Sequence, residues 1–417
     1  MLDGLRQRLT PQFLTFVVVR LAGVSVKPLV LLIAGLSSRE GFANDYALLV
    51  SALAGLFVLS GSQTHIPYYK RRFSGLSNGY REAFCAYFKD TLTQYLLVLP
   101  VVAALAFLWT HDPVVILSIV LLVGVEKFFD EDMRHFQFTR EYYKWSVSFA
   151  FRAILPSLCI VALIPQWDGR LIIVYTALSL ASLAAYGMLR RRHFAFYLRK
   201  TLGSLGKGKK RKVERLRHFS QRWRQELMYN QLWTFASVNI LLVDRLLVAN
   251  LYRDQIHQYV FFANIFNLVN VAHSLFYFVP RRPELIRDKD ATAWGEIFRP
   301  GNLFPPLLYL AVSMIIAIAV RYSTPIYESV SPRLFGGLAL FYLLQAVNLV
   351  GIEYVFWRVS RLRLLVCDGA LVIAMGAAIY WLAPAIEWIP YITSAGLLVR
   401  MIAYQWIARS AVARSQV

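Results

Sequence analysis

Apolar stretches of about 20 residues recur along the whole chain and are separated by polar segments. A stretch of this length can cross the hydrocarbon core of a bilayer as one α-helix. The pattern predicts twelve spans, at approximately 12–35, 46–66, 91–109, 114–131, 145–165, 171–189, 229–251, 257–279, 303–320, 334–357, 364–383 and 388–408. We therefore expect an all-α polytopic membrane protein.

The longest polar segment divides the predicted spans six and six. It gives an N-terminal six-helix lobe over 1–189, a basic linker over 190–226 and a C-terminal six-helix lobe over 227–417. Two halves of equal span number around a long inner linker are typical of transporters built from two repeated bundles. The expected architecture is therefore two six-helix bundles.

Lys and Arg residues are distributed unevenly between the two sides of the predicted membrane. The chain is 58% hydrophobic with a net charge of +21, and sorting its 45 Lys and Arg residues places 35 in inner segments, five in outer loops and five in spans. Positive residues are enriched in cytoplasmic loops of membrane proteins, so both termini are predicted to be cytoplasmic. Topology thus explains the charge, and membrane lipids rather than nucleic acid are the expected contact.

Five cations lie within predicted spans: Arg20, Lys27, Arg152, Arg245 and Arg400. Each disfavours insertion by about 2.5–3.5 kcal/mol at the bilayer centre, so such residues usually have a function. Arg20 and Lys27 are seven residues apart, on nearly the same helical face and about 10 Å apart along the axis. All five are candidate substrate-binding residues, although Arg152 and Arg400 could instead snorkel to headgroups and Arg245 could form an interhelical pair.

The acids assigned to spans are fewer. Glu126 lies at the inner end of the fourth span, which leaves the N-terminal cations without a deep counter-charge. Asp244, Glu353 and Asp368 are candidates for coupling transport to a proton or cation gradient, because their occupancy would bias two access states. The alternative is that each acid pairs with a nearby Arg.

No motif of a soluble enzyme is present in the sequence. There is no Gly-rich phosphate loop, and the three cysteines and seven histidines show no metal-ligand spacing. His273, in the eighth span, is interpreted as a hydrogen-bonded packing residue, with a proton relay as the alternative. We expect neither catalysis nor a bound metal or cofactor.

The segment "NILLVDRLLVANLYRDQIHQYVFF" combines an Asp-Arg pair in an apolar span, a short outer turn and a Tyr opening the next span. A basic, Pro-containing inner segment follows. The chain in this region resembles the polysaccharide-repeat (Wzx-type) flippases of the MOP superfamily, through Asp244, Arg245, Tyr259, Pro280 and Pro283. The first two spans and the segment 126–156 are similar to that family as well.

The resemblance implies a flippase that moves undecaprenyl-pyrophosphate-linked oligosaccharide repeats, such as O-antigen or capsule units, across the bacterial cytoplasmic membrane. Two lobes would rock about a central cavity in which Arg20 and Lys27 hold the anionic head. The polymerase and chain-length proteins of the same glycan pathway are candidate partners. The alternatives are a MATE-like multidrug or ion antiporter and a non-transporting membrane subunit of an envelope assembly complex.

Overall fold

The structure is a computed structural model that describes residues 11–37, 39–60, 98–108, 110–139, 141–166, 170–191, 228–279, 295 and 297–415. These residues are almost entirely helical and include no β-strand. The predicted basic linker lies outside the described residues except for its first two positions, and so do Pro280 and Pro283.

Thirteen helices are numbered within the described residues. They are α1 (Pro11–Leu36), α2 (Glu40–Ser60), α3 (Val98–Leu108), α4 (Pro113–Thr139), α5 (Tyr142–Leu163), α6 (Leu171–Leu189), α7 (Met228–Asn239), α8 (Val243–Leu251), α9 (Ile256–His273), α10 (Pro300–Ser323), α11 (Pro332–Arg358), α12 (Arg361–Leu382) and α13 (Ile389–Ser415). Helix α5 contains a π-helical turn, Ala150–Ile154, and a second π-helical turn, Ser274–Phe278, continues α9.

Eight helices of the described chain are long and apolar enough to cross a membrane: α1, α5, α6 and α9 to α13. A ninth span is possible if α7 and α8, which meet at a bend of 62°, are counted as one. The protein is therefore an all-helical, multi-pass membrane protein. The other three predicted spans correspond to α2, α3 and α4, which do not reach the same criteria within the described residues, so the number twelve stays a prediction.

Three helices extend well beyond the spans predicted within them. Helix α2 begins at Glu40 rather than near residue 46, α4 continues to Thr139 rather than ending near 131, and α13 continues to Ser415 rather than ending near 408. Backbone hydrogen bonding continues over polar residues as readily as over apolar ones, whereas an apolar window ends at the first charges. The longer α4 therefore brings several acids into a helix.

Segments predicted to lie on the outer side of the membrane come together at one end of the helices, here called the outer end. The Arg39 side chain donates to the Pro165 carbonyl (2.9 Å), and His257 Nδ1 lies 2.8 Å from Asn44 Oδ1. The predicted alternation of the spans agrees with these contacts. Which end faces the cytoplasm stays a prediction.

Helix α9 lies at the centre of the described helices and packs against α1, α2, α10 and α11. Along the most apolar stretch of α9, 72% of the residues are buried, against 17% for the corresponding stretch of α10, although α10 is the more hydrophobic helix. Polar side chains need protein partners inside a bilayer, whereas a purely apolar helix can face lipid. Hydrophobicity therefore places α10 at the lipid boundary, and the polar residues of α9 lie inside.

Candidate functional site

Lys27 lies on the interior face of α1 and is nevertheless exposed. Val18 and Leu29 belong to the exposed apolar stripe of the helix, at 63% and 43% exposure, while Val30 and Leu31 are fully buried. Because successive residues turn by 100°, Lys27 points away from the stripe and lies on the face that carries Val30 and Leu31. An exposed side chain on an otherwise buried face lines a space inside the helical bundle.

The charges around Lys27 come from three other helices. Its ammonium group interacts electrostatically with Glu126 on α4, Arg152 on α5 and Arg245 on α8. These partners belong to both predicted halves of the chain. Among the described residues, no carboxylate lies within ion-pair distance of Lys27. The space in front of Lys27 is therefore bordered by both halves and has a positive balance of charge.

Arg20 lies two helical turns before Lys27 and is partly exposed. Its guanidinium carbon lies 5.8 Å from the centre of the Trp145 ring on α5, which is within the range of a cation–π interaction. No acid among the described residues forms an ion pair with it. Arg20 and Lys27 therefore share the property for which they were singled out, namely positive charge without a carboxylate partner.

Arg152 differs from them. Its Nε lies 2.7 Å from Glu126 Oε2, and its Nη1 lies 3.7 Å from Asp130 Oδ1. The expectation that the N-terminal cations lack a counter-charge was therefore wrong for Arg152. The apolar window placed Glu126 at the membrane boundary, but α4 and α5 pack side by side and bring it to the arginine.

The inner part of α4 carries a second set of ion pairs that was not predicted from the sequence. Lys127 is fully buried, with its Nζ 2.6 Å from Glu131 and 3.8 Å from Asp130, and Arg134 lies 2.9 Å from Asp130. Lys127 falls within the predicted fourth span, so it is a sixth in-span cation beside the five named from the sequence. The i,i+3 and i,i+4 spacing of opposite charges in "EKFFDEDMRH" is the signal that indicates these pairs.

Arg245 is held by neutral side chains. Its Nη2 donates to the Tyr342 hydroxyl (2.7 Å) and its Nη1 to Asn264 Oδ1 (3.4 Å), whereas its Nε has no hydrogen-bond partner. Neither Tyr342 nor Asn264 was predicted. Asn264 on α9 and Tyr342 on α11 each belong to a row of polar residues spaced three apart. This spacing indicates a polar stripe on each helix but does not indicate that Arg245 contacts it.

Asp244 is buried beside the bend between α7 and α8. Its Oδ1 accepts the backbone N–H of Arg245 (2.7 Å), and its Oδ2 accepts the Tyr259 hydroxyl (2.7 Å). The Asp-Arg pair of the sequence is therefore joined through the backbone, and the two side chains have different partners. This agrees with the rule that adjacent residues do not face each other on a helix.

Arg400 and Asp368 form a buried, bidentate ion pair between α13 and α12. Arg400 Nε lies 3.0 Å from Asp368 Oδ1 and Nη2 lies 2.6 Å from Oδ2, and both side chains have 0% exposure. The Tyr404 hydroxyl donates to the same carboxylate (2.6 Å). Arg400 is therefore separated from the lipid headgroups. The carboxylate of Asp368, one of the coupling candidates, is already bound by Arg400 and Tyr404.

Glu353, the remaining coupling candidate, is buried on α11. Asp244, Glu353 and Asp368 thus lie on three different helices, and no contact among them is seen in the described chain. That same part of the chain contains no group of three or more His, Cys, Asp or Glu side chains able to hold a metal ion. The positions that converge on Lys27 are Glu126, Arg152 and Arg245, whereas Arg20 lies two helical turns away on the same face of α1.

Comparison of the chain with known protein families, with curated proteins and with solved structures found no match.

Proposed function

We propose that this protein is a flippase that moves undecaprenyl-pyrophosphate-linked oligosaccharide units from the inner to the outer leaflet of a bacterial cytoplasmic membrane by alternating access. The observation that carries the proposal is the pair of uncompensated cations on the interior face of α1. Arg152 has Glu126, and Arg245 has Asp244 as its neighbour, whereas Arg20 and Lys27 add two positive charges that no acid of the described residues pairs with.

The chemistry of such a pair fits a compact polyanion. A pyrophosphate loses its hydration on entering a low-dielectric space, and cations already aimed into that space offset the loss. Arg20 presents a planar fork for phosphate oxygens, while Lys27 presents a point charge. The lipid tail can remain in the bilayer while the head is held, so no covalent step is required.

In this proposal the described helices form two lobes that meet along α1, α2 and α9. Within the described residues, α1, α2 and α4 to α6 pack among themselves, and so do α7 to α13. The contacts between these two groups are made mainly by α1 and α2 on one side and by α7, α8 and α9 on the other. Arg20 and Lys27 lie on α1, at this seam, where relative motion of two lobes would change access.

The MATE-like alternative requires a site for cationic compounds. Around Lys27 the described acids are engaged by arginines, so a cation would enter a region of like charge. The membrane-subunit alternative assigns function to the basic linker, which lies outside the described residues. Both alternatives predict that the protein does not move a lipid-linked pyrophosphate, and the membrane-subunit alternative also predicts that changing Lys27 leaves function intact.

The test is transport in proteoliposomes with two probes, a synthetic undecaprenyl-pyrophosphate-linked disaccharide and the cationic dye ethidium. We expect movement of the disaccharide lipid and its loss in Lys27→Ala, with the exposed-surface variant Lys144→Ala as the matched control. Dye transport that survives Lys27→Ala would favour the antiporter. Absence of disaccharide-lipid movement with the wild-type protein would contradict the proposal.

A further inference from the structure

Helix α9 carries polar residues at every third position of its inner half: Asn264, Asn267, Asn270 and His273. His273 is the last of them and is fully buried. It lies five residues before the end of the following π-helical turn, about 7.5 Å along the axis from the inner end of the span. Its hydrogen bonds determine which ring nitrogen carries the proton.

Asn302, on α10, fixes the tautomer of His273. The Asn302 amide nitrogen donates to two backbone carbonyls, those of Ile297 (2.8 Å) and Val347 (3.1 Å). Both amide hydrogens are thereby used, and a flipped amide would place its oxygen against two carbonyl oxygens. Asn302 Oδ1 therefore faces His273 Nε2 at 2.7 Å and can only accept a hydrogen bond. The neutral ring must carry its proton on Nε2.

Nδ1 of His273 is consequently a lone-pair acceptor, and it has no hydrogen-bond partner. An unsatisfied buried acceptor costs free energy, so a base of this kind inside a protein calls for an explanation. The prediction that His273 is a hydrogen-bonded packing residue is confirmed for Nε2 but leaves Nδ1 unexplained.

No charged side chain in the described chain lies within hydrogen-bond or ion-pair distance of the His273 ring. The Tyr277 ring stacks on it, with centroids 5.1 Å apart. The described charged residues of the helices packed against α9 form neither a hydrogen bond nor an ion pair with the ring: Arg20 and Lys27 on α1, Glu40 and Asp45 on α2, Asp244 and Arg245 on α8, Arg321 on α10, and Arg333 and Glu353 on α11. A proton bound at Nδ1 would therefore create a positive charge at a place where no described side chain pairs with it.

Two features of the surroundings suit a site that gains and loses a proton. Buried amide atoms without partners occur on α9 and on the adjacent α11, at Asn264 Nδ2, Asn270 Oδ1, Gln345 Oε1 and Asn348 Nδ2. Polar atoms of this kind are normally satisfied by ordered water, which conducts protons. The π-helical turn Ser274–Phe278 begins directly after His273, and such turns are frequent at functional sites.

We propose that His273 is a proton-binding site whose Nδ1 accepts the proton that couples transport to the proton gradient. A proton from water on one side of the membrane binds the Nδ1 lone pair and converts imidazole to imidazolium, while Nε2–H stays bonded to Asn302. The same proton leaves to water when the site opens to the other side. The role in coupling rests on the proposed function, whereas proton binding itself does not.

The first test is independent of transport. The chain has seven histidines, and a variant that keeps only His273, with Gln at the other six, is labelled with ¹⁵N-histidine and studied by NMR in lipid nanodiscs. We expect the Nε2–H tautomer at high pH. As the pH is lowered, Nδ1 should become protonated before about pH 5 is reached, within the range where histidine usually titrates. An Nδ1–H tautomer, or no protonation down to that pH, would overturn the proposal.

The second test measures proton movement into proteoliposomes with a trapped pH-sensitive dye, in the presence of the disaccharide lipid. We expect substrate-dependent proton movement with the wild type, its loss in His273→Gln, and no change in His111→Gln, which alters an exposed histidine in the loop before α4. Transport by His273→Gln with the pH response of the wild type would refute coupling through His273 but leave the flippase intact. Failure of the wild type to move the lipid would refute the flippase, and the NMR titration would still decide proton binding.

Discussion

Lys27 on α1 and Arg400 on α13 are both cations within apolar helices, yet their surroundings are opposite. Arg400 is fully buried and bound on two sides by Asp368, whereas Lys27 is exposed on an interior face and has no acid within ion-pair distance in the described chain. A cation that is already neutralised by a carboxylate is part of the helix packing. One whose charge is unmet remains available for a ligand, so the partner rather than the residue type separates structural from functional cations.

The largest effect is expected at the paired cation. Arg400→Leu leaves Asp368 as a buried charge without a partner, which costs about 3–5 kcal/mol of stability. The folded yield and the thermal unfolding temperature in detergent should both fall sharply. The double variant Arg400→Leu, Asp368→Leu should recover much of the loss, because replacing both members of a buried pair by apolar residues is often neutral. A single variant as stable as the wild type would contradict the comparison.

The unpaired cations should show the second largest effect. Arg20→Ala and Lys27→Ala should each lower transport of the lipid-linked disaccharide at least about tenfold, the equivalent of about 1.4 kcal/mol of binding. Their unfolding temperature should stay near that of the wild type, because no ion pair is lost. Arg20→Lys should keep more activity than Arg20→Ala because it keeps the charge. It should still be less active than the wild type, because only guanidinium binds two phosphate oxygens as a fork. A large loss of stability with normal transport would reverse the assignment.

Arg152 is a paired cation that a single substitution can change into a more weakly paired one. Glu126→Gln removes the closest acid of Arg152, while Asp130 remains at 3.7 Å. Because the pair is partly exposed, we expect a loss of only about 1 kcal/mol of stability. Removing the negative charge of Glu126 makes the surroundings of Lys27 more positive, so an anionic lipid should bind there more strongly. Isothermal titration with undecaprenyl pyrophosphate measures this, and weaker binding would argue against a shared site.

The smallest effect is expected outside the membrane, at Asp112. The Val114 N–H lowers the pKa of this carboxyl below its usual value of 3.8, with help from Arg170. A lowered pKa in the folded state means that the stabilisation is present above pH 3.8 and is lost as pH falls below it. Asp112→Asn should therefore lower the unfolding temperature slightly at pH 7 and by less at pH 3. An equal effect at both values would exclude the charge as the cause.

Much of the fold follows from the sequence because the bilayer limits what a chain can do. Apolar runs as long as a bilayer is thick can only be helices, since every backbone polar group must be bonded within the segment. The eight long apolar helices therefore match eight predicted spans closely, and Leu171–Leu189 has the predicted bounds. The interior position of Lys27 also follows from sequence spacing, because α1 is regular and its two faces differ in polarity.

Only the tertiary structure decided which of five cations are paired. Glu126 reaches Arg152 from another helix, Asp368 reaches Arg400 across 32 residues, and Tyr342 meets Arg245 across 97. Helical periodicity relates residues within one element and contains no information on which faces of two elements meet. Local sequence therefore determined where the charges lie along each helix, and helix packing determined which of them are neutralised.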